Sequence, residues 1–289
     1  MKPSAFELAR VTTIEQACEM LADDERDIRV LAGGQSLVPM LNFRLSTPDV
    51  VIDLNRIPEL QYIREEDGVL RVGAVTRQRA LERHVIATPA WSLLSRALAK
   101  IGHVPIRNRG TVGGSVANAD PAAELCLASL ALDARMITRS SSGSREIAAE
   151  DWFQGYYTTA IEPDELLLEI RYPAEPAGSA TALREVARRR GDFALVSCAA
   201  LLKVSAANTV EEVRLAYGSM GSRPLRAYVT EDWLRGKPAT PENFAAAAES
   251  IEDQLHPSSD LHASSAYRMS VAKALTRRAL QDALAALPS

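Results

Sequence analysis

The sequence predicts an α+β protein of more than one domain, and three observations lead there. Short apolar strand runs alternate with helical spacing over the first 57 residues, hairpin signals dominate the middle, and the region beyond residue 177 opens with strands and closes with helices. The chain has 289 residues, of which 47% are hydrophobic. That is longer than the roughly 250 residues at which a single core stops growing.

Taken in order, the segment near Phe6 reads as a strand. Residues 12–23 place Ile14, Ala17, Cys18 and Leu21 at helical spacing behind a Thr12 or Thr13 cap. Residues 28–31 form an apolar run cut off at Gly33-Gly34, a short helix starts near Leu37, and residues 50–54 read as a second buried strand. Beyond Ile57-Pro58, residues 61–64 and 69–73 flank Glu66-Asp67-Gly68, a hairpin signal. Residues 76–84 and 89–101 read as helices, the second with Pro89 in its first turn and Gly102 at its end. Residues 135–138 and 145–148 bracket the turn SSSGS, and 166–172 add a strand before Pro173. The proline- and glycine-rich stretch 173–180 is the linker candidate. It divides the chain into residues 1–176, with lobes of about 1–57 and 58–176, and residues 177–289. The second part reads as three strands at 181–188, 193–204 and 210–217, then helices at 230–235, 241–254 and 264–287.

Composition narrows the partners. Lys and Arg total 33 against 37 Asp and Glu, a formal net charge of −4 with no basic block, so neither nucleic acid nor an anionic membrane is an expected partner. The amino terminus MKPSAFELAR lacks an apolar signal core, and no stretch approaches the roughly 20 apolar residues of a membrane span. The expectation is a cytoplasmic, soluble protein. Cys18, Cys126 and Cys198 are isolated and odd in number, which fits reduced thiols and cannot by itself supply an iron-sulfur or zinc site. No metal site is expected, and no catalytic acid or base stands out.

The chemical signal lies in two similar stretches, Ala32-Gly33-Gly34-Gln35-Ser36 and Thr111-Val112-Gly113-Gly114-Ser115. Paired glycines allow positive φ and leave no Cβ in the way, so consecutive amides can converge on an anion. The hydroxyls of Ser36, Thr111 and Ser115 could add hydrogen bonds, and a helix starting near Leu37 would present its positive end. Each pair alone could be only a tight turn. Their duplication with hydroxyls in both copies, without a GxGxxG or a GxxxxGK[ST], points to two loops gripping a pyrophosphate outside the Rossmann and P-loop designs.

Three motifs carry a family resemblance: RVLAGGQSLVPML at 29–41, IGHVPIRNRGTVGGSVANADPAAE at 101–124 and RRRGDFALVSCA at 188–199. Together, in this order, they resemble the FAD-binding medium subunit of molybdenum hydroxylases, the carbon monoxide dehydrogenase and xanthine dehydrogenase family. The resemblance implies a two-lobed FAD-binding domain of the vanillyl-alcohol-oxidase type, followed by a domain with a three-stranded antiparallel sheet and a helical bundle. It implies an electron-transfer role beside a molybdopterin-binding large subunit and a small subunit with 2Fe-2S clusters, as a dimer of heterotrimers. Electrons would run from iron-sulfur through noncovalent FAD to an external acceptor. A stand-alone flavin oxidase or dehydrogenase is the alternative.

Residue by residue, the resemblance assigns Ala32, Gly33, Gly34, Gln35, Ser36 and Leu37, with Thr111, Gly113, Gly114 and Ser115, to the pyrophosphate loops. Arg29 would screen the phosphates or stand solvated at a strand edge. Gly102, Ile106 and Asn108 would wall the adenosine or ribityl part. Asn118, Asp120 and Glu124 follow the second loop, Asn118 and Asp120 as hydrogen-bonding residues, although Asp120 could equally cap a helix. Ile161 and Leu167 would touch the isoalloxazine or belong to the core. Arg184 would bring a cation to the flavin's pyrimidine edge. Phe193 would stack on the ring.

Overall fold

The computed structural model describes residues 2–288. The first lobe contains β1 (Glu7–Arg10), α1 (Ile14–Leu21), β2 (Ile28–Leu31), α2 (Leu37–Asn42) and β3 (Val50–Asp53), with its strands in a parallel sheet of order β1-β3-β2. The middle place goes to β3, whose Val50, Val51 and Ile52 are buried on both faces. At the start of α1, the Thr13 hydroxyl accepts from the Gln16 amide at 3.2 Å, and the helix buries Ala17, Cys18 and Leu21 in one core with Val50 and Ile52.

The second lobe opens with β4 (Ile63–Glu66) and β5 (Val69–Gly73), joined by Asp67-Gly68, both at positive φ as a two-residue hairpin turn requires. Then come α3 (Gln78–Val85), α4 (Ser92–Lys100), α5 (Val104–Arg109), α6 (Val112–Asn118) and α7 (Glu124–Ala131). The lobe closes with β6 (Arg135–Ser140), β7 (Gly143–Ala148), α8 (Ala149–Trp152), the small hairpin of β8 (Phe153–Gly155) and β9 (Thr158–Thr159), and β10 (Leu166–Pro173). Its antiparallel sheet runs β4-β5-β10-β6-β7. Buried Leu70, Val72, Trp152 and Tyr172 pack there against the helices.

The third unit contains β11 (Ser179–Val186), β12 (Val196–Val204), β13 (Val210–Gly218), β14 (Leu225–Arg226), α9 (Tyr228–Leu234), α10 (Pro241–Ser250) and α11 (Ser265–Ala285). The expected three-stranded sheet is four-stranded, in the order β11-β12-β13-β14. The extra strand is two residues long and follows Pro224, so it leaves no alternation to read. One face of this sheet is covered by α9, α10 and α11 around Tyr217, Phe244 and Leu280. The other turns Leu183, Ala199 and Ala216 into the core of the second lobe, against α4 and α7. The connection between β10 and β11 is pinned as well: the Glu175 carboxylate accepts from the Leu93 amide at 2.6 Å and the Ser92 hydroxyl at 2.8 Å, holding the start of α4.

Candidate functional site

Although far apart in sequence, the two glycine stretches meet. A Cβ built on Gly33 would lie 2.6 Å from the Arg109 carbonyl oxygen and 2.9 Å from the Thr111 nitrogen, and one on Gly114 would lie 3.6 Å from the Ala32 methyl. Contacts that short require glycine at position 33 whatever its φ.

The two stretches are not equivalent. The first links β2 to α2, with Gly34 at φ +73°. Among the described residues, the amides of Gly33, Gly34, Gln35, Ser36 and Leu37 donate to no protein acceptor, so they form an open nest for an anion. The second was read as a bend with similarly open amides, and the structure corrects this. It is the first turn of α6, capped by Thr111, whose hydroxyl accepts from the Gly114 amide at 3.1 Å. The other amides also have acceptors: Val112 donates to the Thr76 carbonyl, Gly113 to that of Ala74, and Ser115 to that of Thr111. Gly113 is glycine because a Cβ there would fall 2.5 Å from that of Ala74. This stretch can therefore offer the Thr111 and Ser115 hydroxyls and a close backbone wall, while the amide donors come from the first.

The other expected residues lie at the ends of α4 and α6, on α5 and in the loop after β11. Gly102, at φ +41°, ends α4 and lies against Ile106 on the exposed side of α5, which also carries Asn108. Asn118 is half-buried at the end of α6, followed by Ala119 in the left-handed conformation. Asp120 does not cap α7, whose N-cap is Ala123; one of its carboxylate oxygens accepts from the Ala122 amide at 2.9 Å in a turn, and the other accepts from the Tyr157 hydroxyl at 3.3 Å. Tyr157, at φ +51°, is a bulky residue in a costly backbone conformation. Burial, then the Asp120 charge, raises its hydroxyl pKa. Phe193 is 61% exposed in the loop between β11 and β12. That loop packs on the approach to α5, since a Cβ on Gly191 would meet the His103 ring at 2.7 Å.

Arg29, Ile161 and Leu167 take the second of the two places expected for each, and Arg184 and Glu124 lie elsewhere than expected. Arg29 is exposed on β2 and pairs with Asp27 at 3.3 Å, as a strand-edge cation would. Leu167 is 4% exposed inside the second lobe's core, and half-buried Ile161 packs on that core. Arg184 turns to the third unit's own helices: its guanidinium meets Asp282 of α11 at 2.5 Å. Strand alternation explains this, because Leu183 and Glu185 turn toward α4 while Ala182, Arg184 and Val186 turn toward α11. Glu124 is 5% exposed at the start of α7, and burial pushes its pKa up to about 7. It lies inside the protein.

Three residues outside the three motifs emerge. Asn55, Arg77 and Gln78 strap the stretches together, Gln78 with its amide on the Gly110 carbonyl and its Nε2 on that of Thr111. Asn55 directly follows the predicted strand 50–54, and Arg77 and Gln78 fall in the first turn of the predicted helix 76–84, positions that do not mark a strap.

This geometry defines a class: a two-lobed α+β protein that presents an amide nest along a seam between lobes. The comparisons identify the class further. Residues 4–175 match the family model described as the FAD binding domain in molybdopterin dehydrogenase, and residues 181–283 match the CO dehydrogenase flavoprotein C-terminal domain. The chain is 37% identical to the 6-hydroxypseudooxynicotine dehydrogenase complex subunit alpha of Paenarthrobacter nicotinovorans, covering 98% of this chain and 96% of that one. Carbon monoxide dehydrogenase of Hydrogenophaga pseudoflava, in a form lacking the Mo-pyranopterin moiety of its cofactor, superposes with a TM-score of 0.95 at 35% identity over 100% of both chains. Quinoline 2-oxidoreductase of Pseudomonas putida 86 does so with 0.92 at 37% identity over 98% of each. The chain belongs to the FAD-binding medium subunits of the carbon monoxide dehydrogenase and xanthine dehydrogenase family of molybdenum hydroxylases. Among the described residues, no helix is long and apolar enough to cross a membrane.

Proposed function

We propose that this chain holds noncovalent FAD as the electron-transfer subunit of a cytoplasmic molybdenum hydroxylase. It would accept electrons from the 2Fe-2S clusters of a small partner subunit and deliver them to an external acceptor. A large molybdopterin-binding subunit would complete each heterotrimer, and two heterotrimers would pair. The observation that carries the reading is the open amides at Gly33–Leu37 packed against the Thr111 cap, a close approach that any Cβ at Gly33 would prevent. Bound FAD supplies the redox chemistry, and the protein supplies binding, orientation and electrostatics.

In this reading the nest amides receive the pyrophosphate, with the Ser36, Thr111 and Ser115 hydroxyls alongside. Gly102, Ile106 and Asn108 flank the adenosine or ribityl part, Asn118 and Asp120 bond polar atoms of the ribityl chain or ring, and Phe193 shields the ring from solvent. The three cysteines are buried, which leaves no thiol at the seam for covalent attachment. Substrate choice belongs to the partner, because relatives named for 6-hydroxypseudooxynicotine, quinoline and carbon monoxide resemble this chain to nearly equal degrees.

The test is purification of the chain with its neighbours from the native source. A flavin spectrum, release of the flavin into the supernatant by acid, and co-purifying molybdenum and iron are expected. A colourless chain that takes up no FAD would refute the reading, and a yellow acid pellet would refute noncovalent binding.

A further inference from the structure

We propose that Arg77 and Asn55 form a positioning clamp that aims the Gly33 amide at the cofactor's diphosphate and fixes the wall behind it; this rests on the flavin reading above. Arg77 stands at the start of α3, where its Nη1 donates to the Arg109 carbonyl and its Nη2 donates to Asn55 Oδ1 at 2.6 Å. Asn55 Nδ2 donates in turn to the Ala32 carbonyl at 2.9 Å and to Asp53 Oδ1 at 2.6 Å. The C=O and N–H of a trans peptide point in opposite directions, so drawing the Ala32 carbonyl toward Asn55 turns the Gly33 N–H away from it. Gln35 does the same one peptide later, since its Nε2 donates to the Gly33 carbonyl at 3.1 Å.

The other arm of the clamp acts across the seam. The Arg109 carbonyl that Arg77 holds is the atom that a Cβ on Gly33 would strike first. One guanidinium thus fixes the orientation of the first stretch and the position of the second. Each terminal nitrogen bonds a protein acceptor, one on either side of the seam, which makes Arg77 a positioning residue. Lysine cannot replace it, because a single ammonium lacks the planar fork that reaches both acceptors at once.

The test uses the full chain stripped of flavin and titrated with FAD, ADP and riboflavin. Arg77→Gln and Asn55→Asp should each weaken FAD and ADP binding by about 10- to 100-fold, the loss expected for a charge-assisted hydrogen bond that positions an anion's donors. Riboflavin, which has no phosphate, should bind as it does to the wild type. Arg77→Lys should also lose about tenfold despite keeping its charge. Wild-type FAD and ADP affinity in folded Arg77→Lys or Asn55→Asp overturns the clamp, and so does an equal loss for riboflavin. Should Arg77→Gln not fold, the other two variants decide. A wild type that binds neither FAD nor ADP overturns the flavin reading itself, a different failure from variants that match a competent wild type.

Discussion

Gly33 and its neighbour Gly34 are held to glycine by different forces. At Gly33 the obstacle is space, since a Cβ would sit 2.6 Å from a backbone oxygen that cannot yield. At Gly34 it is conformation: the residue has φ +73°, and an added Cβ would meet only the side chains of Val38 at 3.0 Å and Leu31 at 3.2 Å. A left-handed alanine costs about 1–2 kcal/mol, whereas an overlap with backbone forces the two stretches apart. Gly33→Ala should therefore lose flavin and melt well below Gly34→Ala, as measured by flavin content and thermal melting. Equal behaviour of the two variants would contradict this account. The glycine pairs were legible in the sequence, but the reason for each glycine was not, because a letter does not say whether φ or space requires it. Arg184 was misread for a related reason: a cation near a motif was legible, but the parity of its strand, which turns it to Asp282, was not.

At the scale of elements, α1 and α11 were legible because a hydroxyl cap precedes a run of amphipathic or apolar spacing. The helix α7 was not, since all eight of its residues are buried and an element that is apolar all round shows no period. Its first residue gives the element a pH signature. The unfolded chain ionises Glu124 near the ordinary glutamate value of 4.5, while the folded chain keeps the proton until about pH 7, because burial penalises the charged form. The folded state therefore binds the proton more tightly. The stability this contributes is complete below about pH 4.5, falls as pH rises toward 7 and is lost above it, by roughly 3 kcal/mol at most. Glu124→Gln should flatten that decline between pH 5 and pH 7. Melting curves across that range check this, and an unchanged slope would count against a buried neutral Glu124.

At the scale of the whole molecule, the succession of strands and then helices beyond residue 177 was legible from composition, but the way that unit joins the rest was not. The stretch read as a linker is clamped through Glu175, and the third sheet shares Leu183, Ala199 and Ala216 with the second lobe's core. No sequence pattern distinguishes small residues packed between two units from small residues packed within one. The parts joined in this way should unfold together. Removing flavin should speed amide exchange around the nest while leaving α4 and β12 protected, as hydrogen-exchange mass spectrometry would show. Deprotection of both α4 and β12 would mean that the units separate.

The straps across the seam also govern how a bound cofactor can come and go. With Asn55 and Arg77 tying the first two lobes together there, a dinucleotide is admitted by a local loosening of the turns that line the seam. Loading and loss are then set by the stiffness of a few peptides at the threshold, and anything that steadies those peptides from outside, a docked neighbour included, locks the door.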